Sequence, residues 1–274
     1  MLPSLRAFFT LLLGLLPTAC ANLNFYPDAE LEPLSVQAYA EATAEHGEIK
    51  SGPQYEMVQR VAKRIAAAAH GPEVEAAGGI ATFQWEARLL KADDTPNAFC
   101  LPNGRIAIYT GILPLTLNEN GLAAVMGHEV AHAVLRHGGK RMTQGMLTGA
   151  GLAAVQAGLG MSKMDAEAKE GVLAVLGVGA QVGLILPFSR DHETEADVLG
   201  LRYAIRAGYD PNEAPLLWER MAKLGGGSTP AWLSTHPASE ARAANLRALI
   251  PQLKAEEANW KPTPATPATA PKPK

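Results

Sequence analysis

The sequence predicts an α+β fold that is mainly helical and contains one small β-sheet. Apolar residues recur at helical spacing in several segments, whereas strict alternation of apolar and polar residues is confined to short ones. The 274 residues are 47% hydrophobic and 19% charged, which is enough apolar content to bury a core and too much for a disordered chain. We therefore expect one domain over residues 51–255.

Helices are predicted wherever apolar residues follow the spacing of an amphipathic helix. The first predicted helix ends at Gly71-Pro72, a pair that stops helices. The five segments are Tyr55–His70, Asn120–Arg136, Asp191–Ala207, Asn212–Leu224 and Ala238–Leu249. Two further apolar segments, Met146–Met161 and Gly171–Leu186, are too short and too rich in glycine for membrane spans. We expect them to form core helices or a mobile cover near a site.

The small sheet is predicted from three short segments. Thr82–Leu90 and Arg105–Tyr109 alternate as strands do. A third strand, Asn97–Leu101, is joined to Arg105–Tyr109 by the turn Pro102-Asn103-Gly104.

Residues 1–19 have the composition of a secretory signal peptide. An apolar run of about ten residues follows one basic residue, and it is too short to span a membrane. Ala19 before Cys20 is similar to the lipobox of bacterial lipoproteins, in which the signal is cleaved before a lipid-modified cysteine. Ordinary cleavage after Ala21 is the alternative. We expect lipidation at Cys20 and, since no aspartate follows it, a periplasmic protein anchored to the outer membrane.

The composition of the remaining segments, the cysteine count and the net charge limit the classes of protein to which the chain can belong. Residues 20–50 are expected to form a linker and a first helix, and residues 256–274, rich in proline and lysine, a disordered tail. Cys20 and Cys100 are the only cysteines, so a disulfide between them is the alternative to a lipid on Cys20. The net charge of −3 argues against a protein that binds nucleic acid.

The segment His128-Glu129-Val130-Ala131-His132 carries the clearest chemical signal. On a helix, two histidines four residues apart project from one face and can bind one zinc ion, while Glu129 lies beside them as a general base. Apolar residues flank the motif on both sides, as a buried helix requires. His137 is out of register for the third histidine of the metzincin pattern, so the third ligand must come from elsewhere.

A second charged segment, Ser189–Asp197, offers that third ligand. Glu193 and Asp197 lie one helical turn apart, so that Glu193 can bind zinc while Asp197 accepts a hydrogen bond from a ligating imidazole and sets its tautomer. His192 and Glu195 compete for the metal but lie on other faces of the same predicted helix.

Four blocks of sequence, in this order and spacing, carry a resemblance to a known family. They are Asn97–Gly104 with Ile108–Gly111, His128–His132, Ser189–Asp197 with Gly208–Pro211, and Ser234–Pro237 with Arg242. Together they resemble the HtpX-like zinc metallopeptidases, relatives of the CAAX prenyl endopeptidases and of the mitochondrial inner-membrane quality-control protease. The resemblance implies a gluzincin fold, one zinc ion per chain and endopeptidase activity. It also implies that His236 lies near the metal, either stabilising the reaction intermediate or acting as a fourth ligand in a latent state.

From these residues we expect a zinc endopeptidase of the bacterial cell envelope, with zinc held by His128, His132 and Glu193. Glu129 would take a proton from the attacking water and pass it to the leaving amine. The strand Asn97–Leu101 is expected to lie at the edge of the sheet, line the cleft and pair with extended substrate, unless it is an ordinary hairpin. Exported lipoprotein members of the family suggest unfolded or misassembled envelope proteins as substrates, and prenylated peptides are not expected.

Two other functions remain open. One is an envelope chaperone or assembly factor whose zinc site is latent, either closed by His236 or covered by the segments within 146–186. The other is a zinc-binding module without catalysis, which is disfavoured because structural zinc sites usually fill all four positions with Cys or His. Other divalent metals also fit two imidazoles and a carboxylate.

Overall fold

A computed structural model describes residues 23–80, 83–147, 188–223, 231–236 and 240–261. The predicted signal peptide with Cys20 lies outside the described residues. The same holds for the segment Gly171–Leu186, for Met146–Met161 beyond Leu147, and for the tail beyond Lys261. Among the described residues, no helix combines the length and hydrophobicity that a membrane span requires.

The described residues form helices around one small sheet, which confirms the mainly helical α+β class. The helices are α1 (Asp28–His46), α2 (Pro53–Ala68), α3 (Pro72–Ala76), α4 (Leu113–Thr116), α5 (Glu119–Val134), α6 (His137–Leu147), α7 (Arg190–Arg206), α8 (Glu213–Ala222), α9 (Ala231–Thr235) and α10 (Glu240–Glu257). The strands are β1 (Glu48–Ile49), β2 (Glu86–Leu90), β3 (Ala98–Cys100) and β4 (Arg105–Tyr109). A single 3-10 turn, Thr110–Ile112, joins β4 to α4.

The sheet has the strand order β1-β2-β4-β3, so that β3 lies at one edge. β2 runs parallel to β4, with Leu89 opposite Ile108, while β3 is antiparallel to β4. The β3–β4 turn contains Gly104 at a φ of +85°, a conformation that L side chains rarely adopt. The predicted hairpin is therefore confirmed, with its short strand on the edge.

Several predicted boundaries differ from the structure, and tertiary contacts explain two of them. The strand predicted from Thr82, which lies outside the described residues, begins only at Glu86, because its partner β4 begins at Arg105, directly opposite Glu86. The last helix, predicted to end at Leu249, continues past Pro251 to Glu257. Its final turns bury Leu253, and Arg206 donates to Glu257 at 2.6 Å, which offsets the hydrogen bond that proline cannot make.

Helix α5 is the central element of the main hydrophobic cluster. It begins after Asn118, whose side-chain oxygen accepts hydrogen bonds from the backbone N–H groups of Asn120 at 2.8 Å and Gly121 at 3.1 Å. Its residues from Gly121 onwards are almost all buried, including the polar residues of the zinc motif. A buried helix that carries polar side chains must satisfy them internally, and α7 supplies carboxylate partners for its two histidines.

Helices α5 and α7 cross at two glycines. A Cβ atom on Gly127 would lie 2.6 Å from the carbonyl oxygen of Gly200, and a Cβ atom on Gly200 would lie 2.7 Å from the backbone nitrogen of His128. Both contacts are with backbone, so a methyl group at either position would push the helices apart. The two glycines therefore allow the approach that brings the carboxylates of α7 to the histidines of α5.

Candidate metal centre

Four side chains from three elements converge at the crossing of α5 and α7. His128 and His132 come from α5, Glu193 from α7, and His236 from the position directly after α9. One potential ligand atom of each lies within 4.8 Å of the others, and all four residues are buried. The structure thus brings together the three predicted ligands and the histidine that the family resemblance added.

The spacing of these atoms fits a tetrahedral zinc ion. Ligand nitrogens and oxygens about 2.0–2.2 Å from one ion lie roughly 3.3–3.5 Å from each other. The observed distances are 3.0 Å between the Nε2 atoms of His128 and His132, 3.3 Å from His128 Nε2 to His236 Nδ1, and 3.3 Å from His132 Nε2 to Glu193 Oε1. Imidazole nitrogen and carboxylate oxygen are also donor types that zinc accepts, so the residues present fit this metal.

Asp197 lies behind His128. Its Oδ1 atom is 3.2 Å from His128 Nδ1, on the side of the ring opposite the cluster. Arg242, at the start of α10, donates to both Asp197 oxygens, at 2.8 and 2.6 Å, and lies 2.5 Å from Glu193 Oε2. The Arg242 guanidinium therefore orients both Glu193, a member of the cluster, and Asp197, which lies behind His128.

The electrostatics of the cluster are dominated by its buried carboxylates. Burial alone would lower the pKa of His128, but hydrogen bonds with Asp197 and Glu193 raise it to about 9. Burial would raise the pKa of Glu193, but the charge of His236 and hydrogen bonds from the imidazoles hold it well below its usual range. Asp197 behaves in the same way, since His128 and Arg242 outweigh burial and lower its pKa. The site therefore attracts positive charge.

His132 has a support of its own that sequence reasoning missed. His137 Nδ1 lies 2.9 Å from His132 Nδ1, and His137 Nε2 lies 3.0 Å from Glu195 Oε2. His137 is fully buried, and burial lowers its pKa to about 4. A neutral His137 can accept from His132 and donate to Glu195, which would leave His132 Nε2 free of hydrogen and facing the cluster.

The competing ligands of the sequence analysis lie elsewhere. Glu195 contacts His137 and His192 stacks on the same ring, with 4.3 Å between ring centroids, so neither belongs to the four-residue cluster. The helical register separates them, because residues one or two positions away from Glu193 point to other faces of α7. The sequence shows His137 five residues after His132 but carries no pattern that assigns it to the support of His132.

Glu129 lies beside the cluster rather than in it. Its Oε1 atom accepts a hydrogen bond from the indole Nε1 of Trp232 at 2.6 Å and lies 3.5 Å from His236 Nε2. Trp232 was not singled out by the sequence, because no motif joins it to a residue 103 positions away.

A cleft opens onto these groups, and the edge strand β3 forms one of its walls. Ala98, Phe99 and Cys100 line it together with Glu129 and His132. Pro102, Phe188, Thr235 and His236 also contribute to the lining. The predicted placement of the edge strand at the cleft is therefore confirmed.

Comparison with known proteins agrees with this geometry. The sequence profile described as Peptidase family M48 matches residues 54–250. The mitochondrial metalloendopeptidase OMA1 of Schizosaccharomyces pombe is 36% identical over 241 residues, which cover 85% of this chain and 65% of that protein. The OMA1 protein of Arabidopsis thaliana is 38% identical over 160 residues, which cover 58% of this chain and 30% of that protein.

A bacterial relative is also similar. The beta-barrel assembly-enhancing protease of Escherichia coli is 31% identical over 162 residues, which cover 57% of this chain and 32% of that protein. The chain thus spans between 30% and 65% of the length of these three relatives.

Removal of the His137 side chain, which contacts His132 from outside the cluster, should weaken metal binding without removing a ligand. We expect His137→Ala to lower zinc affinity about 10-fold to 100-fold, because His132 loses the partner that sets its tautomer. The measurement is a competition titration of the purified protein against a chelator. His70→Ala, a change at a half-buried histidine outside the cluster, is the control. Equal affinities for the His137→Ala and wild-type chains would contradict the role assigned to His137.

Proposed function

The chain belongs to peptidase family M48, and from this membership we propose that it is a zinc-dependent endopeptidase of the bacterial cell envelope that cleaves unfolded or misassembled proteins. The observation that carries the proposal is the convergence of His128, His132 and Glu193 on one point, with Glu129 beside them in an open cleft. A site that only stabilised the fold would have no need of a carboxylate that lines a cleft beside the cluster without belonging to it.

In the proposed mechanism His128, His132 and Glu193 hold the metal. When bound, zinc supplies Lewis-acid chemistry, which polarises the scissile carbonyl and makes water a stronger nucleophile. Glu129 takes a proton from the attacking water and delivers it to the leaving amine. Asp197 and the His137–Glu195 pair keep the two imidazoles oriented through their Nδ1 atoms.

The edge strand supports the proposed choice of substrate. Among the described residues β3 pairs with β4 alone, so its other side can accept a strand of substrate through main-chain hydrogen bonds. Such pairing is tolerant of sequence but requires the substrate to be extended locally. Unfolded or misassembled proteins expose unpaired extended segments, whereas most extended segments of folded proteins are already paired in sheets.

The envelope setting is supported by the bacterial relatives and by the N-terminal sequence. Two relatives are named as beta-barrel assembly-enhancing proteases, from Escherichia coli and Yersinia pestis, whereas several others are mitochondrial. We propose that the chain is exported, is lipidated on Cys20 and is held at the outer membrane.

Mass spectrometry of the mature protein should find a chain that begins at Cys20 with added acyl mass. A chain that begins at Asn22 without it would end the lipid-anchor proposal.

A second candidate function is favoured by the position of His236. Its Nδ1 atom lies 2.9 Å from Glu193 Oε1 and 3.3 Å from His128 Nε2, the place that a fourth metal ligand would take. A filled fourth position leaves no room for water, so the chain would be an assembly factor or chaperone with a latent site. The two candidates are compatible if His236 leaves the cluster when substrate binds.

The catalytic proposal predicts the behaviour of a variant at the base. Glu129→Gln should keep its zinc and lose at least 100-fold of its activity on casein, an unfolded substrate, because the amide cannot take a proton. Zinc content by elemental analysis and casein cleavage are measured on the same preparation. Glu119→Gln makes the same change in the first turn of α5, where the side chain pairs with Arg60 outside the site, and should be as active as wild type. Full activity of a pure Glu129→Gln preparation would rule out this assignment.

The position of His236 generates a separate prediction. If it is a fourth ligand, His236→Ala should bind zinc and cleave casein faster than wild type, by about tenfold, because a coordination position becomes available to water. A fall in casein cleavage with zinc retained would instead assign His236 to the stabilisation of the reaction intermediate. The wild-type and His236→Ala chains are compared at equal zinc content.

A further inference from the structure

Trp232 makes the shortest contact with the proposed general base. The residue lies on α9, is 1% exposed, and donates its indole Nε1–H to Glu129 Oε1 at 2.6 Å. Hydrogen bonds to an ionised acceptor are shorter and stronger than neutral ones, and this one lies out of contact with bulk water. The contact is therefore a strong restraint on the Glu129 side chain.

The indole is itself held from several sides. Its ring stacks on Trp218, with 4.9 Å between centroids and 17° between planes. The guanidinium of Arg242 lies 3.5 Å from the centroid of the Trp218 ring, on which it makes a cation–π contact. The backbone N–H of Trp232 donates to the carbonyl of Pro96 at 3.2 Å. Trp232 is thus a rigid donor, fixed by its neighbours before any substrate arrives.

The same arginine joins the two sides of the site. Arg242 donates to Asp197 and contacts Glu193, as described above, and it also packs on the aromatic pair. A continuous stack of Arg242, Trp218 and Trp232 therefore runs from the carboxylates of Glu193 and Asp197 to that of Glu129. Arg242 at one end contacts Asp197, Trp232 at the other end contacts Glu129, and Trp218 packs between them.

We propose that Trp232 is a positioning residue for the general base: its indole N–H holds the Glu129 carboxylate in the orientation needed for proton transfer. The proposal rests on the proposed function, since Glu129 has a base to be positioned only if the chain is an endopeptidase. A glutamate side chain has three rotatable bonds, and a base acts only within hydrogen-bond reach of the proton it takes. Misplacement of a catalytic group by about 1 Å can cost about 100-fold in rate.

Movement of His236 need not disturb this contact. His236 follows the last residue of α9, while Trp232 lies within the helix and is clamped between Trp218 and Glu129. The His236 ring also lies 5.2 Å from the indole, but rotation of His236 away from the cluster would leave the stack on Trp218 and the hydrogen bond to Glu129 intact. Trp232 would thus hold the base in both the closed and the open arrangements of the site.

A matched pair of variants separates the hydrogen bond from the ring. Trp232→Phe keeps an aromatic ring but has no donor, whereas Trp232→His has a smaller ring that can donate an N–H. We expect Trp232→Phe to lower kcat on a casein-derived peptide about tenfold or more, with KM within about twofold and zinc content unchanged. Trp232→His should recover part of kcat. Both variants are made in the wild-type and His236→Ala chains, so that closure by His236 does not mask the effect.

A second measurement tests the contact itself and does not depend on activity. The chain has four tryptophans, so the zinc-loaded protein gives four indole N–H signals by NMR, and the one missing from Trp232→Phe belongs to Trp232. Glu129→Gln should move this signal upfield, because a neutral amide accepts more weakly than a carboxylate. The signal of Trp260, which lies near Arg206, should stay in place.

The possible results are distinguishable. An unmoved Trp232 signal, a kcat for Trp232→Phe within about twofold of wild type, or a kcat for Trp232→His no higher than that of Trp232→Phe would each overturn the positioning role. If Glu129→Gln still cleaves casein, the proposed function itself fails. Trp260→Phe, the same substitution outside the site, should leave kcat unchanged and controls for a general loss of stability.

Discussion

The metal centre depends on one close approach, the crossing of α5 and α7 at Gly127 and Gly200. The backbones meet there with no room for a side chain on either glycine. Asp197 and Glu193 lie about one and two turns before Gly200 on α7, so the separation of the helices decides whether their carboxylates reach His128. A larger side chain at Gly127 or Gly200 would separate the helices and so move both carboxylates of α7 away from His128. The ligand set is therefore a consequence of backbone packing as much as of the ligand residues themselves.

That approach also creates a problem of charge. Glu129, Glu193 and Asp197 are all buried, and buried carboxylates are stable only when cations or hydrogen-bond donors surround them. Trp232 donates to Glu129, and Arg242 compensates part of the charge of Glu193 and Asp197. The imidazoles supply further compensation for these two carboxylates, which is why the pKa of His128 rises to about 9. The field that holds a proton on His128 also favours a divalent cation at the same point. A proton on His128 and a metal ion in the cluster would therefore compete with each other.

The sequence predicted the parts of this site that obey a local rule. The spacing of His128 and His132, and that of Glu193 and Asp197, follows from helical periodicity, and both pairs lie as expected. His236 was reached only through family resemblance, because α9 is five residues long and has no pattern of its own. Trp232 and His137 were missed for a different reason. Each acts through a partner on another element, and pairing at long range leaves no periodic trace in a single sequence.

The fold was predicted with the same strengths and weaknesses. Helices with an apolar face, such as α2 and α7, were found within a few residues of their ends. The predicted end of α10 was wrong because proline ordinarily stops a helix, whereas the burial of Leu253 and the ion pairs of Glu257 with Arg202 and Arg206 stabilise its continuation. Short elements depend on tertiary contacts of this kind, so their limits cannot be derived from propensity alone.

The short helix α9 joins functions that the sequence keeps apart. Its backbone at Trp232 donates to Pro96, two residues before the edge strand β3 begins, and the carbonyl of Thr235 accepts from Phe188 in the wall of the cleft. Its side chains reach the base through Trp232 and the metal cluster through the adjoining His236. A substrate strand that pairs with β3 would therefore lie next to the segment that holds Trp232, which in turn contacts Glu129. The contacts of α9 thus connect the edge strand β3 with Glu129, so a displacement of α9 would disturb both.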